Sequence, residues 1–228
     1  MRGSDPSQPH ATGMAAAVTL QPAVDYGFQQ PICPPHAARE LAASVSGFTG
    51  IYVDANAISP ATSIAIGAAI ESSGGRYVDG GIIGPPPTAS GTTRLYLAGT
   101  EAATVAELFA DTTLEPKILA GPVGSASAMK MAYGGWTKGS AALLLALRAL
   151  ARSEGIEPEL LEEWQISVPE LLERSERAGK SASAKGWRWA GEMHELAAAL
   201  DDAELPSGFG SAAADLYART PRTGGATS

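Results

Sequence analysis

The chain changes its hydrophobic pattern near residue 125: short apolar runs punctuated by glycine and proline give way to long stretches without a helix breaker. Gly50-Ile51-Tyr52-Val53-Asp54 is a compact apolar run ending in a polar residue, the pattern of a buried parallel strand. Ser59-Pro60 supplies an N-cap with proline at the first helical position, opening a helix to about Ser73 that Gly74-Gly75 closes. Arg76–Ile83 reads as the next strand, stopped by Gly84-Pro85-Pro86-Pro87. Thr93–Ala98 is a third strand, Glu101–Ala110 a helix and Pro116–Leu119 a fourth strand, while 36–45 is a short helix after the Pro34-Pro35 turn. Strands alternating with helices over 32–121 predict an α/β layer with a mostly parallel sheet.

From Ser125 or Ser127 to Glu154 only Gly134-Gly135 weakens a helix that would run about 42 Å. Its middle, Ala141–Leu150, is apolar nearly all round and predicts burial on several sides, completed in a dimer. Further helices are expected at 157–165, 168–179, 184–202 and 207–218, with 219–228 frayed. Residues 1–30 carry little pattern and read as a flexible leader. The organisation is therefore a leader over 1–30, a sheet-bearing unit over 31–122 and a helical unit over 123–228. Trp164, Trp187, Trp189 and Met193 are expected in the helical core or at a dimer interface.

Composition narrows this further. A hydrophobic share of 45% and a charged share of 18% are those of a soluble globular protein. The net charge of −8 argues against a nucleic-acid or anionic-membrane footprint but leaves room for a small anionic ligand. The one cysteine, Cys33, allows no internal disulfide. The longest apolar run, Ala141–Leu147, is too short to span a bilayer, and residues 1–20 have no signal-peptide pattern, so a cytoplasmic protein is expected. His10, His36, His194 and Cys33 have no ligand spacing, and no metal is expected. Lys130 lies about one turn inside the long helix, behind the small residues 124–128. A lysine on such a packed face is either an ion-pair partner or an acid/base with a tuned pKa.

Four ordered stretches then carry a resemblance: Tyr52-Val-Asp-Ala-Asn-Ala-Ile-Ser-Pro60, Tyr77-Val-Asp-Gly-Gly-Ile-Ile-Gly84, Gly91-Thr-Thr-Arg-Leu-Tyr-Leu-Ala-Gly99 and Gly121 to Lys130. Over residues 31–218 the chain resembles the β-hydroxyacid dehydrogenase superfamily, which includes 6-phosphogluconate dehydrogenase, 3-hydroxyisobutyrate dehydrogenase and the imine reductases. It is most similar to the phosphogluconate dehydrogenase-like subgroup of NAD(P)-dependent oxidoreductases. The resemblance implies a partial Rossmann-type domain over 31–122, a long interdomain helix and an all-α C-terminal bundle that forms a homodimer. It implies hydride transfer between NAD or NADP and a hydroxyl- or imine-bearing carbon of a small-molecule substrate, with Lys130 as the acid/base. Cys33, Pro34, Pro35 and Asn56 are then cofactor contacts. Asn56, Gly84, Tyr133, Gly134 and Thr137 are substrate contacts, with Tyr133 and Thr137 on the Lys130 face at i+3 and i+7.

The sequence also departs from that pattern. Gly134 stands where the family has an asparagine, Ile83 where it has a serine before Gly84, and Asn56 where it has another serine. No Gly-x-Gly-x-x-Gly precedes Ile32, so the cofactor's glycine loop is absent from this sequence, and the first βαβ half of the nucleotide unit is expected to be missing. Two other readings stay open: a non-catalytic relative acting as a helical dimeric binding or interaction module, and a small-molecule binder that kept the cleft without the redox cofactor. An uncovered strand edge invites association, so residues 1–30 are expected either to be disordered or to cover it.

Overall fold

The apolar runs of the first half build one five-stranded sheet in the computed structural model, which describes residues 28–29, 33–45 and 47–220. Its strands are β1 (Phe28–Gln29), β2 (Ile51–Asp54), β3 (Arg76–Ile83), β4 (Thr93–Ala98) and β5 (Leu114–Ile118), lying side by side in that order. β1, β2 and β3 run parallel, as do β4 and β5, so the sheet is mostly parallel as expected. The exception is β3 against β4, which are antiparallel. The proline-rich turn after Gly84 joins them without a crossover helix, and so short a connection returns the chain antiparallel. α2 (Pro60–Ser72) carries the crossover from β2 to β3, and α3 (Ala102–Glu107) that from β4 to β5. α1 (Ala38–Ser44), preceded by a 3-10 turn at Pro35–Ala37, stands before β2.

Alternation along β2 and β3 sorts the two faces. Ile51, Val53 and Val78 join Leu95, Leu97, Val105 and Phe109 on one side, while Tyr52 and Tyr77 join Ala38, Ala42, Ile66 and Ile70 on the other. Phe28 pairs with Ile51 and Gln29 with Tyr52, so these two residues of the leader lie along the edge of β2. The disorder expected for the rest of the leader, and the fraying expected beyond Thr220, fall outside the described residues.

The helical half consists of α4 (Ser125–Gly134), a π-helical turn at Gly135–Gly139, α5 (Ser140–Ser153), α6 (Glu157–Ser167), α7 (Glu170–Asp202) and α8 (Gly208–Ala218). Two expectations are corrected. The helices predicted at 168–179 and 184–202 are one helix, α7. The serine-rich stretch Lys180-Ser-Ala-Ser-Ala-Lys185 contains no proline, and Ala178, Ala182 and Gly186 are buried at i, i+4 and i+8, so packing carries the helix through weak local propensity. Gly186 lies so close to Tyr217 of α8 that an added Cβ would sit 3.3 Å from its ring. The burial of Ala141–Leu150 on several sides is not found within one chain. Ala142 and Leu144 are buried, but Leu143, Leu147 and Leu150 are 59%, 40% and 58% exposed, because α6, α7 and α8 all pack on one side of α5. Trp164 and Met193 are buried, Trp189 stacks edge-on against Tyr217 at 5.1 Å, and Trp187 is exposed at its rim.

Candidate functional site

Asp79 fixes the helix that carries Lys130. Its Oδ2 accepts the backbone N–H groups of Gly124 at 2.9 Å, Ala126 at 2.8 Å and Ser127 at 3.1 Å, the otherwise orphaned donors that open α4. Its Oδ1 accepts the hydroxyls of Ser127 at 2.6 Å and Ser63 at 2.9 Å. The side chain is wholly buried, and these donors are what make a buried carboxylate tolerable. Gly124 turns the chain into α4 at φ +100°, a conformation that favours glycine. Gly81 then lets α4 lie directly on β3: an added Cβ would stand 2.7 Å from the Ala126 carbonyl oxygen and 3.4 Å from the Lys130 Cβ.

So placed, Lys130 is half-buried and donates from Nζ to the carbonyl oxygen of Ala55 at 3.2 Å. Burial pulls its ammonium down from 10.5 to about 8. Glu192 of α7 opposes that fall, Lys138 adds to it and Asp54 opposes it. An amine near 8 is split between donor and acceptor forms around neutral pH, which suits acid/base work.

The loop after β2 forms the facing wall. Asp54 is buried, and its Oδ1 accepts both the backbone N–H and the side-chain amide of Asn56, each at 2.8 Å. Among the described residues its Oδ2 has no partner, and neither has the buried hydroxyl of Tyr52. Burial raises the Asp54 carboxyl from 3.8 to about 6 against the pull of the Asn56 hydrogen bonds. The Asn56 side-chain Oδ1 accepts the backbone N–H of Cys33 at 2.6 Å, so Asn56 braces the Cys33-Pro34-Pro35 segment to the end of β2. The Cys33 thiol is pushed up to about 11 by burial and by Asp54, which keeps it protonated and unreactive.

The structure thus brings together Lys130, Asn56 and Cys33, with Pro34 and Pro35 following. Gly134 is buried on α4 with open space where a Cβ would point, and Tyr133 is exposed on the same helix. The Thr137 hydroxyl donates to the carbonyl oxygens of Tyr133 at 3.0 Å and Gly134 at 3.4 Å, so its proton is spent on the helix. Gly84 lies in the exposed turn at the end of β3, against Thr92 and Thr93, at φ +130°. Asp79, Gly81 and Glu192 were not singled out from sequence as parts of this site. Asp79 and Gly81 lie inside the Tyr77–Gly84 stretch, where an aspartate followed by two glycines on a buried strand was the available signal.

Two helix N-termini lie at this site and both are filled by the chain itself. Asp79 occupies that of α4. Glu195 of α7 occupies that of α2, where its Oε2 accepts the Ser59 N–H at 2.6 Å and the Thr62 hydroxyl at 3.2 Å. A dinucleotide's phosphates ordinarily rest on such free N–H groups. Neither of these two helix N-termini is therefore free to seat a dinucleotide's pyrophosphate. Among the described residues, no three His, Cys, Asp or Glu side chains converge as metal ligands, and no helix is long and apolar enough to cross a membrane.

Comparison with known proteins agrees with the architecture. Residues 151–220 match the family model of a domain of unknown function, DUF1932. A conserved hypothetical protein from Sinorhizobium meliloti 1021 superposes with a TM-score of 0.66 at 24% identity, covering 84% of this chain and 66% of its own. This chain therefore spans just under two thirds of that protein. A conserved protein of unknown function, MTH1747, described as structurally similar to 3-hydroxyacid dehydrogenases, matches at 27% identity and a TM-score of 0.60, over 81% of this chain and 75% of its own. The 3-hydroxyisobutyrate dehydrogenase of Mycobacterium tuberculosis, solved with L-serine, matches at 16% identity and a TM-score of 0.62, over 85% and 73%. No curated protein sequence matches the chain.

Proposed function

We propose that this chain, which has the hydroxyacid dehydrogenase fold and carries a DUF1932 domain over residues 151–220, serves in an NAD(P)-dependent oxidoreductase with Lys130 as the acid/base. The observation that carries the reading is a lysine held on the Ala55 carbonyl, on the helix pinned by Asp79, with its pKa drawn to about 8. NAD or NADP supplies the hydride chemistry when bound, and its phosphates need a seat beyond the described residues. In the oxidative direction the neutral Lys130 Nζ takes the proton of the substrate hydroxyl as the carbinol carbon is oxidised. In the reductive direction its ammonium returns that proton to the developing alkoxide or amine. Asn56, fixed by Asp54 and Cys33, shapes the wall facing Lys130, and Gly134 leaves room for a substrate bulkier than a small hydroxy acid.

The exposed Leu143, Leu147 and Leu150 favour a homodimer through the helical half, the arrangement that would cover them. The filled helix N-termini favour a second reading, in which the chain is a non-catalytic dimeric binding module. Turnover separates the two. With NADP+ or NAD+ and a panel of hydroxy acids, and with NADPH or NADH and keto acids and cyclic imines, Lys130→Met should lose about 100-fold or more in rate while its circular dichroism stays helical. A wild-type chain that neither binds nor turns over either cofactor would support the second reading.

A further inference from the structure

The π-turn at Gly135–Gly139 interrupts the helix that carries Lys130. In an unbroken α-helix the position seven residues after Lys130 returns to its face, which would be Thr137. A π-turn inserts one residue and advances the register by one, so Lys138 takes that place. The insertion is held by side chains that cap the carbonyls it loosens. Thr137 donates to Tyr133 and Gly134, Ser140 donates to the Trp136 carbonyl, and the buried Tyr217 hydroxyl of α8 donates to the Lys138 carbonyl at 2.6 Å. Gly135 admits α7 closely, since an added Cβ would meet Leu196 at 3.2 Å.

On the opposing helix, Glu192 forms an ion pair with Lys138, and both side chains are largely shielded from water. Met131 and Met193, the neighbours of Lys130 and Glu192 in sequence, pack in one core cluster, which brings the two helices together at this level. We propose that Lys138 and Glu192 are positioning residues for Lys130: a charge pair, put in register by the π-turn, that sets how tightly Lys130 holds its proton. The inference rests on the reading of Lys130 as the acid/base.

The groups whose charge acts on Lys130 are Glu192 from α7, Lys138 from the π-turn and Asp54 from β2. Asp79 of β3 is committed to the start of α4 and Glu195 of α7 to the start of α2. Lys138 and Glu192 act on Lys130 with opposite signs. Removing either leaves the other's full charge beside a half-buried amine, so the two deletions act with opposite signs. A merely structural pair would give no such reversal.

The test is trace labelling of the full chain with acetic anhydride from about pH 6 to about pH 11, read lysine by lysine by mass spectrometry. Glu192→Gln should lower the labelling midpoint of Lys130, and Lys138→Met should raise it, each by about 0.5 unit or more. The double variant should return near wild type, and Lys117 on β5, which pairs with Glu115, should not move. Midpoints of Lys130 that stay fixed, or that shift in the same direction in both variants, overturn the proposal. Glu192→Gln is near-isosteric and decides alone if Lys138→Met does not fold. Labelling needs no turnover, so a failed activity screen would sink the redox reading and leave this result standing.

Discussion

Asp54 has two unequal oxygens: one accepts two hydrogen bonds from Asn56, the other is buried with none among the described residues. Burial lifts its carboxyl from 3.8 to about 6, so between those values the folded state keeps a proton that the unfolded chain has released. That contribution is fully present below about pH 4 and is lost as pH rises through about 6, on the order of 3 kcal/mol in all. Asp54→Asn should flatten the fall in stability across that window relative to wild type, as read by urea denaturation at a series of pH values; an unchanged slope would contradict this account of Asp54. Lys130 and Asn56 were singled out from the sequence because their motifs are local. The pairing of Lys138 with Glu192 was not, because an ion pair across 54 residues leaves no mark on either neighbourhood. Thr137 shows the converse: its spacing from Lys130 was right for a plain α-helix, and one inserted residue changed its partner.

At the scale of elements, the decisive contact is α4 on β3. Gly81→Ala puts a methyl group where backbone stands 2.7 Å away, and backbone cannot rotate aside as a side chain can. The helix must shift, at about 1–3 kcal/mol, carrying Lys130 away from the Ala55 carbonyl. Thermal denaturation should show that loss, and an undiminished midpoint would mean that α4 does not press on β3 this closely. Strand positions were readable to within two residues because Gly84-Pro85 and Gly74-Gly75 punctuate them. The Gly134-Gly135 pair was readable as a weak point but not as a π-turn, since glycine lowers helix propensity without specifying how a helix yields. The continuity of α7 was hidden for the same reason: Ser181 and Ser183 look like a break until α5 and α8 supply the packing.

For the whole molecule, the division into a parallel α/β layer and a helical half was plain from the change in period near residue 125. The exposure of Leu143, Leu147 and Leu150 was not, because an apolar helix reads the same whether its cover comes from this chain or a second copy. Sedimentation should show a dimer that Leu147→Glu reduces to monomer, whereas a monomeric wild-type chain would refute pairing through α5. The departures at Gly134 and Ile83 bear on what this fold does, and the filled N-termini of α2 and α4 sharpen that question. The most direct measurement is NADP+- or NAD+-dependent turnover of the wild-type chain beside Lys130→Met across pH. The account predicts oxidation of a hydroxyl substrate that rises through an inflection near pH 8, where the Lys130 amine becomes neutral, and that nearly vanishes in Lys130→Met. Turnover that survives Lys130→Met undiminished would contradict it.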